Sequence, residues 1–328
     1  MAALILAAWP YAAIADHASA SFETGAAGAI LTVPGKTLAP GKLVIGIGMQ
    51  FIDFDELTDA QLEAAGAADR DVHSVARLLA VSANMAYGIT RNLTVGLSLP
   101  YVERQDVREA HHDMGMGEVE LAGDASGPGD LRLFGQYRFY QGNAGDAALI
   151  AGVKLPTGKT GERELEGSLF EAEQQPGTGS RDPFLGIAWN QGWGRTGLSA
   201  NVLYTFTGEG TQQTDLGDAF NYNLALSYRV FFPAGGHDHH AHAHGLGVVD
   251  YVDAILELNG DHREHAEISG FREENTGGHT VYLSPGVRIG LAHRWSIFAS
   301  VGVPLASRLN GLQADPAYRV IGGITRAF

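Results

Sequence analysis

The chain contains no cysteine in 328 residues, which rules out disulfides and thiolate metal sites. That absence names no compartment, because an oxidising periplasm permits disulfides without requiring them. After the first fifteen residues there is no apolar run of about 18 or more, so a mature transmembrane helix is not expected. Basic residues are scarce: 22 Lys and Arg stand against 37 Asp and Glu, a formal charge of −15. Nucleic-acid binding normally needs a basic stripe, so a nucleic-acid partner is not expected. What is abundant is glycine, at 44 residues, within a chain that is 45% hydrophobic.

Residues 2–15 are almost all apolar or small, and Ala18-Ser-Ala20 offers an A-x-A cleavage site. Residues 1–20 therefore read as an export signal, with the mature chain starting near Ser21. The positive segment that normally precedes such a stretch is missing, which points to a true start upstream.

The rest alternates with period two. Leu198, Ala200, Val202, Tyr204 and Phe206 share one face, and Ser199, Asn201, Thr205 and Thr207 the other. Leu93, Val95, Leu97, Leu99 and Tyr101 alternate with Thr94, Gly96 and Ser98. The last residues repeat the pattern: Tyr318, Val320, Gly322, Ile324 and Phe328 oppose Arg319, Gly323 and Thr325. One face is apolar with aromatic ends, the other polar. A soluble sandwich would alternate too, with its apolar face inward. Many runs here reach about ten to fourteen residues, which suits a tilted membrane span better than a sandwich strand.

The reading is all-β: a transmembrane antiparallel barrel of about 12 strands over residues 41–328, preceded by a periplasmic segment or partial plug at 21–40. The strands are expected near 41–54, 72–89, 92–105, 129–141, 146–158, 182–193, 196–207, 219–232, 247–260, 278–291, 294–306 and 317–328. Short turns near 90–92, 142–145, 194–195 and 292–294 alternate with longer stretches at 55–71, 106–128, 159–181, 208–218, 261–277 and 307–316. Short periplasmic turns and long outer loops are typical of bacterial outer-membrane barrels. Phe328 reads as a closing residue and an assembly signal, which makes the barrel-assembly machinery a partner along with outer-membrane lipid. The acidic loops could bridge divalent cations to lipopolysaccharide phosphates.

The inner face carries Arg132, Arg138, Lys154, Arg229, Arg288 and Arg319, with Asp253 and Glu257 able to pair with some of them. Lining a pore, they would favour anionic solutes. Alternatively they form a salt-bridge ladder that fills a narrow barrel. No cofactor is required. The run His237, His239, His240, His242 and His244, in a turn expected to face the periplasm, could hold Zn, Cu or Ni. A second cluster, His111-His-Asp-Met-Gly-Met116, has a composition that suits copper.

Several motifs carry a resemblance. Gly129-Asp-Leu opens one strand, and Leu155-Pro-Thr-Gly158 closes the next. Gly177-Thr-Gly179 then precedes Asp182-Pro-Phe184. With Phe22-Glu-Thr-Gly25 and Leu38-Ala-Pro-Gly-Lys42, this resembles the outer-membrane transporter family labelled for the MetA pathway of phenol degradation. The resemblance implies a channel for small solutes, aromatic compounds among them, and defines no catalytic or ligand-binding residue. Two other classes compete with a channel: a structural or metal-linked barrel without transport, and a lipase-like outer-membrane enzyme.

Overall fold

The computed structural model of the protein describes residues 28–113, 116–231 and 248–328. The expected signal at 1–20 and the five-histidine run fall outside these residues. In chain order the elements are β1 (Leu43–Asp55), α1 (Asp59–Ala67), β2 (His73–Ser74), β3 (Arg77–Thr90), β4 (Leu93–Asp113) and β5 (Met116–Pro128). Next come β6 (Leu131–Gly142), β7 (Gly145–Leu155), β8 (Asp182–Trp193), β9 (Thr196–Thr205), β10 (Thr214–Asp215) and β11 (Ala219–Phe231). The last are β12 (Val249–Arg263), β13 (Glu267–Ile268), β14 (Phe271–Arg272), β15 (Gly278–Leu291), β16 (Trp295–Leu309) and β17 (Asp315–Ala327).

Twelve long strands form a closed antiparallel ring, running β1, β3, β4, β6, β7, β8, β9, β11, β12, β15, β16, β17 and back to β1. The seam pairs β1 with β17 from Val44 opposite Ala327 to Asp55 opposite Asp315. The Phe328 amide adds one bond, donating to the Leu43 carbonyl at 2.8 Å. Closure removes the sheet edge, which is what allows strands to stand in lipid.

The outward face is the apolar one. Ile45, Ile47 and Met49 of β1, Leu185 and Ile187 of β8, and Val301, Val303 and Leu305 of β16 are all exposed. Exposed aromatics mark both rims: Tyr87, Tyr137, Phe139, Trp193, Tyr228, Trp295 and Phe328 on the short-turn side, and Tyr101, Phe206 and Tyr318 toward the other. This is the lipid-facing band with its girdles. Arg326 lies over both Trp295 and Phe328, at 5.1 and 4.5 Å from the ring centroids. Inside, several rings lie flat over a neighbouring strand's glycine. A Cβ on Gly96 would come within 2.4 Å of Phe134, and one on Gly152 within 2.3 Å of Phe184. Part of the high glycine content is thus inner-wall packing.

The outer rim departs from the expected boundaries. The strand expected from 72 begins at Arg77; His73–Ser74 is a separate short strand that continues along the same neighbour, β4, opposite Glu109 and Arg108. The stretch 106–128, expected as a loop, is a tall hairpin: β4 runs on to Asp113 and β5 returns against it. The connection at 55–71 contains α1, started by a capping box between Thr58 and Gln61. The two-residue strands β10, β13 and β14 form a separate small sheet, in that order.

Candidate functional site

Residues 28–38 are buried or nearly so. The Glu257 carboxylate accepts the backbone N–H groups of Ile30, Leu31 and Thr32 at 3.0 to 3.1 Å. Asn201 Oδ1 accepts from the Val33 amide, Gln136 Nε2 donates to the Pro34 carbonyl, and Thr94 Oγ1 accepts from the Leu38 amide. Ile30 and Leu31 also pack on Ile255, Phe298 and Ile321. The chain then turns over the short-turn rim at Gly41, whose φ of 79° suits glycine, and enters β1. The segment crosses from the middle of β12 to the base of β4, so it fills the periplasmic half of the lumen.

All eight residues expected along the inner wall face inward, but their charges are spoken for. Arg229 forks onto Asp253 at 2.8 and 3.0 Å. Arg138 pairs with Asp146 at 3.1 Å, and Arg319 with Asp261 at 3.4 Å. Arg288 donates to the Ala29 carbonyl and lies over Phe298. Arg132 lies over Phe184, 4.6 Å from its centroid. Glu257, expected to meet a basic partner, takes three backbone amides instead. Arg138, Lys154, Arg229 and Arg319 meet carboxylates, while Arg132 and Arg288 lie over aromatic rings, an arrangement closer to the ladder alternative than to a row of open cations.

Lys154 shows what the sequence motifs do. Its ammonium lies 2.5 Å from Asp182 and 3.5 Å from Asp130. Asp130 in turn accepts from the Gly158 amide at 2.9 Å, and from the Thr178 amide and hydroxyl at 2.9 and 2.7 Å. The Gly-Asp-Leu, Leu-Pro-Thr-Gly, Gly-Thr-Gly and Asp-Pro-Phe motifs therefore meet in one knot. It ties both ends of the 156–181 loop where they cross at Gly158 and Gly177, whose backbones approach so closely that a Cβ on either would clash at 2.6 Å. This is architecture, and it explains why such plain residue types recur together.

The sequence matches the profile of the family described as "Putative MetA-pathway of phenol degradation" over residues 58–309, more than half of the chain. The chain belongs to this family. No curated protein sequence matches it. Among solved structures it is similar to the COG4313 outer membrane channel from Pseudomonas putida F1, with a TM-score of 0.56 and 15% identity over 89% of this chain and 97% of that one. Looser likenesses are the CymD monoaromatic hydrocarbon channel and the P. putida toluene transporter TodX, each with a TM-score of 0.43 and 10% identity. They cover 89% and 88% of this chain and 89% and 90% of theirs. Family, closed ring and lipid-facing band together make the protein a bacterial outer-membrane barrel. The matched stretch holds the motif knot, whereas residues 28–38 and β17 lie beyond it.

The outer mouth of this family member holds a cluster that the sequence reading missed. His73 is nine-tenths buried, with Asp71, Glu109 and Glu171 at 3.5, 3.4 and 3.7 Å from Nε2 and Glu173 at 3.5 Å from Nδ1. Burial alone would lower the imidazole pKa, but Glu109, Glu173 and Glu171 outweigh it and hold it well above the usual range. Burial, aided by Asp71, Glu173 and Glu109, pushes Glu171 up to about 8 against the pull of His73. Glu173 is also penalised by burial, yet His73 and Arg104 bring it below the ordinary carboxylate range. Asp71 with His73 and Glu171 with Glu173 are neighbours in sequence, but the two pairs and Glu109 lie far apart along the chain, so no spacing signal announces the set. Of the copper-suited cluster at 111–116, Met114 falls outside the described residues; His111 and His112 are exposed, and His112 Nδ1 meets the Gly66 carbonyl.

Proposed function

We infer that the protein is an outer-membrane channel for small solutes, and that residues 28–38 are its stopper. One observation carries this reading: the periplasmic half of the lumen is filled by a stretch of the chain's own backbone, held mostly by hydrogen bonds to side chains. A barrel with a purely structural role could fill its interior with wall side chains, as the matched ion pairs already do elsewhere. A strand of backbone resting on Glu257, Asn201, Gln136 and Thr94 can leave as a unit. Its apolar contacts at Ile30, Leu31, Val33 and Leu38 would be exchanged for those of a passing apolar solute.

The solute class follows from the wall. Because four of the six inward cations are paired with Asp146, Asp182, Asp253 and Asp261, and the other two lie over aromatic rings, the lumen offers anions reduced net attraction. A small neutral aromatic molecule fits a wall of matched dipoles and inward rings better, in keeping with the family's description. The test is conductance in planar bilayers for the full chain and a variant lacking residues 28–38, with uptake of phenol and benzoate into proteoliposomes. The deletion variant is expected to conduct well above the full chain and to pass phenol faster than benzoate. No conductance from the deletion variant would sink the channel reading. Faster benzoate would overturn the solute class alone.

A further inference from the structure

The His73 cluster has the layout of a metal centre. Nε2 faces three carboxylate oxygens, from Asp71, Glu109 and Glu171, at 3.4 to 3.7 Å. These separations exceed the 2.7–2.9 Å of a charge-assisted hydrogen bond by half an ångström or more. Ligands each about 2.1 Å from a tetrahedral zinc ion lie about 3.4 Å from one another, close to the 3.5 and 3.7 Å that separate Nε2 from Asp71 and Glu171. The ligand atoms of Asp71, His73 and Glu171 all lie within 4.8 Å of one another.

Three further observations point the same way. The second ring nitrogen, Nδ1, is turned toward Glu173, the carboxylate–histidine arrangement by which an outer carboxylate fixes the ring and its tautomer for metal binding through Nε2. Glu109 Oε1 is shielded from solvent and has no hydrogen-bond partner among the described residues. A cavity of about 20 Å³ opens beside the cluster, lined by Asp71, His73, Glu171 and Glu173, with Glu273 on its far wall. A single ion or water needs about 10–15 Å³.

We propose that Asp71, His73 and Glu171 bind one divalent transition-metal ion at the outer mouth, with Glu109 and Glu173 as flanking carboxylates around the imidazole. The nitrogen donor selects against calcium and magnesium, which prefer all-oxygen shells, and toward zinc and its first-row neighbours. The ion would join two separate elements, the segment leading into β3 and the 156–181 loop. It would thus tie the loops over the mouth to one another. The site stands apart from the channel reading, and either can fail without the other.

The experiment uses the full chain in detergent, stripped with a chelator and titrated with ZnCl₂ by calorimetry. The His73→Ala and Glu171→Gln variants run beside a control in which His237, His239, His240, His242 and His244 are all alanine. Heat-modifiable gel mobility confirms that each variant is folded. The five-histidine control is expected to keep one tight zinc site, which His73→Ala and Glu171→Gln weaken about 10- to 100-fold. X-ray absorption on the zinc-loaded control should show one nitrogen and a majority of oxygen neighbours near 2.0–2.2 Å. Unchanged zinc affinity in folded Glu171→Gln and His73→Ala overturns the proposal. So does loss of all tight binding in the five-histidine control, and so does calcium binding as tightly as zinc.

Discussion

The two ends of the lumen handle buried carboxylates in opposite ways. At the periplasmic half, Glu257 is fully buried and meets three backbone amides in a row. Its charge is spread over donors that cannot titrate. At the outer mouth, four carboxylates crowd one imidazole, and no comparable set of donors reaches them. The surplus of acceptors shows as raised proton affinity at Glu171 and His73. One end is electrostatically complete, and the other calls for a cation. A barrel wall is rigid at both ends, so the difference lies in what the loops and the leading segment bring to it.

The largest effect should come from breaking the complete end. Glu257→Ala leaves three buried amides unpaired, at about 1–3 kcal/mol each, and should release residues 28–38. Single-channel recordings should show a conductance step about tenfold above the native protein. A variant as quiet as the native chain would mean that the segment is held by its apolar contacts instead. Next is Lys154→Met, which strands Asp130 and Asp182 in the motif knot. Denaturant unfolding in lipid vesicles should show a loss of about 3–5 kcal/mol, the cost of breaking one partner out of a buried ion network. A loss under 1 kcal/mol would show that the Thr178 and Gly158 contacts hold the loop without the lysine.

At the outer end, Glu171→Gln removes one of the crowded charges. It should lower zinc affinity at least tenfold, read by calorimetry, while conductance stays as in the native chain. A change in conductance of similar size to that of Glu257→Ala would couple the two ends and erase the distinction between them. The smallest effect is Thr94→Val, which removes one of the segment's several anchors, at Leu38. It should cost about 1 kcal/mol in the balance between seated and released segment, visible as a few-fold rise in open time.

The sequence displayed the ring because lipid enforces alternation: β3, β8, β9 and β15 are legible wherever one face must be apolar. It hid the outer rim for the same reason. Between Gln105 and Asp113, β4 has risen above the lipid, both faces are polar, and the period-two signal fades into Arg108, Glu109, His111 and His112. Helix α1 did carry its signal, Thr58 three residues before Gln61, but a single capping box inside a long loop competes poorly with the surrounding strand pattern. The inward direction of Arg132, Arg138, Lys154, Arg229, Asp253, Glu257, Arg288 and Arg319 was readable. Their partners were not, because pairing across a barrel depends on register and on which residue a returning loop delivers. His73 is the extreme case, since Glu109 and Glu171 reach it from distant parts of the chain.

The stopper is joined to β1 through the exposed residues 39–42, and β1 is one side of the seam with β17. Eleven residues from 28 to 38 can reach at most about 37 Å from that hinge. A segment on so short a leash stays near its own socket at an effective concentration on the order of millimolar, whatever the protein's abundance in the membrane. Reseating is therefore a first-order event, independent of how many barrels the cell carries. Each opening is a brief excursion that ends by itself, so the dwell time is set by a few hydrogen bonds and the length of the leash.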